Sequence, residues 1–158
     1  MRVLVYHSER PLGKAIQFAQ SNYWNHVGVE IYGYVYEMLG NGIVKRTLAE
    51  SIKDSTRVIA SRVDVDDDKA FRIVEKWCEQ KVQYFFRGLL KQLVYQFTQM
   101  FTGKPRWIGK NYIEQRFMCS TMVAKLLNEL KGDYEEWWTV APEDFANDFM
   151  SYNWKSVK

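Results

Sequence analysis

The chain contains two histidines and two cysteines, so thiol–imidazole chemistry has few places to sit. One thiol lies in Phe117-Met118-Cys119-Ser120-Thr121-Met122-Val123. Met122, Val123, Leu126, Leu127 and Leu130 recur at helical spacing, and Gly132 supplies a stop. Cys119 therefore opens a helix, where unpaired N–H groups and the positive end of the helix dipole gather. A thiol in that place ionises more readily, and the thiolate is the nucleophilic form. Far upstream, His26 starts an alternating run, His26-Val27-Gly28-Val29-Glu30-Ile31. Val27, Val29 and Ile31 point one way, and His26, Gly28 and Glu30 the other. A turn at Tyr32-Gly33 followed by a returning strand Tyr34–Leu39 sets residue 39 opposite residue 26. Glu37 is then the diagonal neighbour of His26 on the same face, within side-chain reach. Turning at Gly33-Tyr34 instead would set Glu30 against Glu37, a like-charge pair, so the first register is favoured. Cysteine, histidine and glutamate so placed form a nucleophile, a base and a group that orients the base. The competing readings are plain ones. Cys119 can be a small buried apolar residue, His26 a structural histidine, and Glu37 a solvated strand residue with Asn25 as the partner of His26.

The elements that must position these groups follow in chain order. Arg2–His7 is a short apolar strand, and Pro11 opens a helix through Ala19. After the His26 and Tyr34 strands, Gly40-Asn41-Gly42 is a hairpin signal leading to a strand over Ile43–Arg46. A helical turn is expected at Leu48–Ile52 and a strand over Thr56–Val63. Asp66-Asp67-Asp68 then suits the start of a helix carrying Phe71, Ile73, Val74 and Trp77. The calcium-loop reading of those aspartates lacks the glycine and distal glutamate of an EF-hand. Gln83-Tyr84-Phe85-Phe86 leads into a long apolar helix on which Phe86, Leu90, Leu93 and Phe97 share a face. Beyond the Cys119 helix, Tyr134–Trp138 reads as a helical turn, Pro142 opens a helix to Met150, and Trp154–Val157 is an edge strand.

The chain has 158 residues, of which 47% are hydrophobic and 16% aromatic. That length and composition suit one globular α+β domain over 1–158. Two cysteines without a C-x-x-C make neither a disulfide framework nor a zinc motif, and no metal or cofactor is expected. The amino-terminal apolar run is too short for a signal peptide, and no run approaches a membrane span. The net charge is only +3, yet residues 81–131 hold nine Lys/Arg against two Glu. That basic, aromatic stretch lacks any nucleic-acid recognition motif, so no specific nucleic acid is expected.

His-Val-Gly-Val, then Tyr-Val-Tyr-Glu, Gln-Tyr-Phe-Phe, Met-Cys-Ser before a helix, and Ala-Pro-Glu-Asp-Phe together resemble the circularly permuted NlpC-type papain-fold proteins (YiiX-like). The lecithin retinol acyltransferases are distant members of that group. In the permuted group the histidine strand precedes the cysteine helix, as it does here, and the resemblance spans roughly residues 1–150. It implies a small antiparallel sheet packed against helices, with a helical insertion at about 85–116. By position it makes Cys119 the nucleophile, His26 the base and Glu37 the third member. It implies an oxyanion or substrate-binding role for Tyr84 and, beside the nucleophile, Ser120. Met118-Cys119-Ser120-Thr121 departs from the Asp-Cys-Ser-Gly of ordinary NlpC enzymes, and the Tyr84-to-Cys119 spacing is long. The implied activity is cysteine-dependent amide hydrolysis, with a peptidoglycan peptide or similar amide as substrate and a bacteriophage tail or lysis system as one setting. A lipid acyltransferase or thioesterase would share the same groups. A non-enzymatic virion or assembly protein would need none of them. Residues 85–116, with apolar Phe85, Leu89 and Tyr95 off the main stripe, are expected either to cover the sheet or to dock a protein partner or an anionic polymer.

Overall fold

The structure, a computed structural model, describes residues 1–9, 14, 23–84, 116–133, 140, 142–148 and 155–158. The described elements run β1 (Arg2–Ser8), β2 (His26–Ile31), β3 (Tyr34–Leu39), β4 (Gly42–Thr47), α1 (Leu48–Ile52), β5 (Ser55–Arg62) and α2 (Asp67–Glu79). They continue with β6 (Gln83–Tyr84), β7 (Arg116–Phe117), α3 (Cys119–Lys131), α4 (Pro142–Asp148) and β8 (Lys155–Ser156). The protein is α+β. Its main sheet has six strands in the order β4-β3-β2-β1-β5-β8, every pairing antiparallel. A second, two-stranded sheet pairs β6 with β7 in parallel.

Alternation along the strands separates two apolar sets. Val3, Val5, Val27, Val29, Ile31, Tyr36 and Met38 face one side, where they share a core with Val74 and Trp77 of α2, Met122, Val123, Leu126 and Leu127 of α3, and Phe145 of α4. Leu4, Tyr6, Val35, Val58 and Ala60 face the other side, packed with Leu48 and Ile52 of α1 and with Val157. Both faces of the central strands are thus covered. The sequence separates His26, Gly28 and Glu30 from the apolar face of β2, and an apolar layer lies on their side as well. That layer includes α1, a five-residue helix whose own sequence does not show which surface it covers.

The turns are built by residues that accept positive φ. Tyr32 at φ 53 and Gly33 at φ 79 form the two-residue connection between β2 and β3 that the favoured register requires. At the next hairpin Leu39 pairs with Gly42, so Gly40-Asn41 is the connection. Gly42 has φ 112, and a Cβ there would lie 2.9 Å from the Val82 carbonyl oxygen. The missing side chain lets the segment entering β6 lie against the start of β4.

Helix ends follow local chemistry. Asp66 caps α2 by accepting from the Lys69 N–H at 2.9 Å. Asp67 pairs with the amino group of Met1, and Asp68 accepts from the Tyr32 hydroxyl at 2.5 Å. Each of the three aspartates so has a structural partner. Gly132, left-handed at φ 78, ends α3, where its N–H donates to the Asn128 carbonyl. The edge strand expected near the carboxyl terminus is β8, paired with β5. The helix expected over 11–19, the apolar helix of the 85–116 segment with its docking face, and the turn at 134–138 lie outside the described residues. No helix among the described residues is long and apolar enough to cross a membrane.

Because Gly42 combines positive φ with close backbone approach, Gly42→Ala should destabilise the fold by about 1–3 kcal/mol. Urea unfolding measures this. A midpoint equal to that of the unchanged protein would show that β4 and the Val82 segment separate at no cost.

Candidate active site

Cys119 is the first residue of α3, and its backbone leaves a strand-like conformation at Met118 (φ −90, ψ 169). Methionine has no oxygen to cap with, so Thr121 takes over part of the task. Its hydroxyl accepts from the Met118 N–H at 2.8 Å and lies 3.2 Å from the Met118 carbonyl oxygen, to which it donates. The first intrahelical bond runs from Met122 N–H to that same carbonyl. Locking Met118 in this way fixes the direction in which Cys119 leaves the helix. Cys119 and Ser120 are both about 3% exposed, and the first-turn amides lie beside the thiol at the positive end of the helix.

β7 immediately precedes this turn, and its parallel pairing with β6 brings Tyr84 into register with Phe117. The long sequence spacing from Tyr84 to Cys119 is therefore spanned by neighbouring backbones. Tyr84 is 6% exposed. Burial, and then the charge of Cys119, push its phenol far above its ordinary value, so it stays protonated and can donate.

His26 is the first residue of β2. Strand register pairs Gly28 with Glu37 and Tyr6 with His26, which places Glu37 diagonally from His26 on one face. The His26 Nε2–H donates to Glu37 Oε2 at 2.7 Å. Glu37 is fully buried, so it is not the solvated strand residue that its sequence neighbourhood allows. Gly28 leaves space on this face. A Cβ there would stand 3.1 Å from the Tyr36 carbonyl oxygen. Asn25, the other candidate partner for His26, is spent elsewhere. Its side-chain amide accepts from the Ser8 N–H and donates to the Ser8 carbonyl, each at 2.9 Å. These bonds extend the β1–β2 pairing by one residue beyond the strand.

Cys119 is the second group that acts on the His26 imidazole. α3 packs on the Val27/Val29 side of the sheet, whereas His26, the first residue of β2, belongs to the Glu37 side. Burial pulls the imidazole's pKa down. The hydrogen bond and charge of Cys119, and then those of Glu37, outweigh it and raise the pKa to about 9. A ring clamped between a carboxylate and a thiol can take the thiol proton and hold it as imidazolium. The two buried charges are tolerable only because each has a partner. Cys78, on α2, is different: burial, followed by the Glu75 charge, raises its pKa.

The arrangement therefore brings together Cys119, His26, Glu37 and Tyr84, with Ser120 on the same helical turn. His7 stands apart, its Nδ1 2.7 Å from the Tyr23 carbonyl oxygen and its ring stacked on Tyr23. Sequence reasoning missed Tyr6, whose ring centroid lies 5.2 Å from that of His26. The signal was the β1–β2 pairing, which no residue of β1 announces by itself. Among the described residues no three His, Cys, Asp or Glu side chains are grouped to hold a metal ion. No protein-family model matches the chain, and no curated protein matches it.

Two outcomes follow. Iodoacetamide should modify Cys119 faster than Cys78 near neutral pH, by about tenfold or more, and His26→Ala should slow the Cys119 reaction. Equal rates at the two thiols would remove the case for a thiol–imidazole pair. His26 also links stability to pH. Its folded pKa, about 9, lies above the ordinary value of 6.5. Its contribution is full below pH 6.5 and is lost as the pH rises through 9. The melting temperature of the unchanged protein relative to His26→Gln should therefore decline across that window. A difference that is flat or grows with pH would show that the folded imidazole is not raised.

Proposed function

We propose that this chain is a cysteine-dependent amide hydrolase on a circularly permuted papain-like (NlpC-type) fold, with peptide cross-links or stems of peptidoglycan as its substrate. The observation that carries this reading is the His26 imidazole bonded to the buried Glu37 carboxylate, with the thiol of Cys119, at a helix start, as the other group acting on the ring. The chain order, with the histidine strand before the cysteine helix, agrees with it.

In this reaction Glu37 keeps the His26 proton on Nε2, which presents Nδ1 to the thiol. His26 takes the Cys119 proton, and Sγ attacks the carbonyl carbon of the scissile amide. The developing oxyanion meets the Cys119 N–H and the Tyr84 hydroxyl, both donors held in place before the charge forms. The imidazolium passes its proton to the departing amine as the C–N bond breaks. A water then gives its proton to His26 and attacks the thioester, releasing the acid and restoring the thiol. Ser120 contributes through its place on the same turn, next to the attacking group.

Incubation with purified muropeptides, followed by mass spectrometry for new amino termini, tests the reading. Cys119→Ala should abolish cleavage. Glu37→Gln should lower kcat by about 10²–10⁴-fold while leaving the fold intact, since it keeps shape and removes the charge that favours imidazolium. Cleavage of ester or thioester lipids with muropeptides untouched would assign the groups to acyl transfer on lipid instead. Full activity in Glu37→Gln would remove Glu37 from the reaction.

A further inference from the structure

Tyr6 is buried in the middle of β1, directly across from His26 in the β1–β2 register. Its ring is tilted 49° to the imidazole at a centroid distance of 5.2 Å. Its hydroxyl is 2.8 Å from Ser51 Oγ, a buried group on α1. A Cβ on Gly28 would stand 3.5 Å from that hydroxyl, so the phenol lies across the position that Gly28 leaves bare. The ring is therefore held at both ends, by β1 at its Cα and by α1 at its oxygen.

An imidazole has two ring nitrogens and a freely rotating stem, so two hydrogen bonds alone leave it able to swing about their common axis. A wall on one side removes that freedom. An aromatic wall adds to this, because its π face attracts a cation and so favours imidazolium over imidazole. We propose that Tyr6, pinned by Ser51, is a positioning residue that holds the His26 ring in the orientation spanning Glu37 and Cys119. This gives α1 and its surface on the second face of the sheet a purpose beyond packing. The groups facing His26 are then Glu37 from β3, Cys119 from α3 and Tyr6 from β1, with Tyr84 of β6 facing Cys119 in turn.

The proposal rests on reading Cys119, His26 and Glu37 as the reacting groups, but its test needs no substrate. With only two histidines, His26 can be followed by NMR through a pH titration of the full chain, using His7→Gln for assignment. Tyr6→Leu removes the wall. The His26 midpoint should fall by about one unit, and iodoacetamide should modify Cys119 about tenfold more slowly. Tyr6→Phe keeps the ring and loses the hydroxyl with its Ser51 bond, so it should restore most of that rate and sit about two- to fivefold below the unchanged protein. Ser51→Ala should also lower the rate, and the double variant should cost less than the sum of the two single ones, because both remove the Tyr6–Ser51 bond. A folded Tyr6→Leu with unchanged midpoint and thiol rate would make Tyr6 a packing residue and overturn the proposal. If Tyr6→Leu does not fold, an unchanged thiol rate in both Tyr6→Phe and Ser51→Ala overturns it equally. Failure of the unchanged protein to cleave muropeptides would count against the peptidoglycan reading while leaving the Tyr6 outcome to be read from His26 itself.

Discussion

The bond between His26 and the buried Glu37 carboxylate organises the site. A carboxylate with no solvent access is strongly disfavoured unless a donor or a cation meets it. Everything around it serves to make that meeting obligatory. Tyr32-Gly33 sets the β2–β3 register that places residue 37 diagonally from residue 26. Gly28 keeps its face of the sheet open between them. α1 and the Leu4/Tyr6/Val35 layer then close that face, so the pair is buried rather than merely adjacent.

The second constraint is the end of a helix. Among the described helices, α3 contributes the most residues to the apolar core on the other side of the sheet, and that packing fixes its axis. Its first residue is consequently presented at the end of β2, where His26 begins. The Met118–Thr121 bonds fix the last degree of freedom before the thiol. Core burial and site geometry are in this way the same interaction seen from two ends: Met122, Val123, Leu126 and Leu127 of α3 hold the helix, and the helix holds Cys119.

The raised pKa of His26 summarises the balance of these forces. Burial alone would strip the ring of its proton, and two hydrogen-bonded partners reverse the sign. The result is a site whose electrostatics are set by its own buried neighbours. Tyr84, kept protonated by burial and by the Cys119 charge, follows the same logic.

Much of this was legible in residue order. The alternation of His26–Ile31, the turn at Tyr32-Gly33, the stop at Gly132 and the apolar spacing of α3 are local properties, and local sterics and hydrogen bonding decide them. From them the His26–Glu37 diagonal follows by counting, and the helix-start position of Cys119 by periodicity. Tertiary structure alone decided the rest. Whether Glu37 is wet or buried depends on α1, whose five residues do not say what they cover. The nearness of Tyr84 to Cys119 depends on a two-residue parallel pairing, too short to leave any periodic trace. Asn25 was lost as a partner to Ser8, and Tyr6 gained His26, through the pairing of β1 with β2. Such contacts join residues far apart in the chain, and their energies come from burial that exists only once both partners are in place.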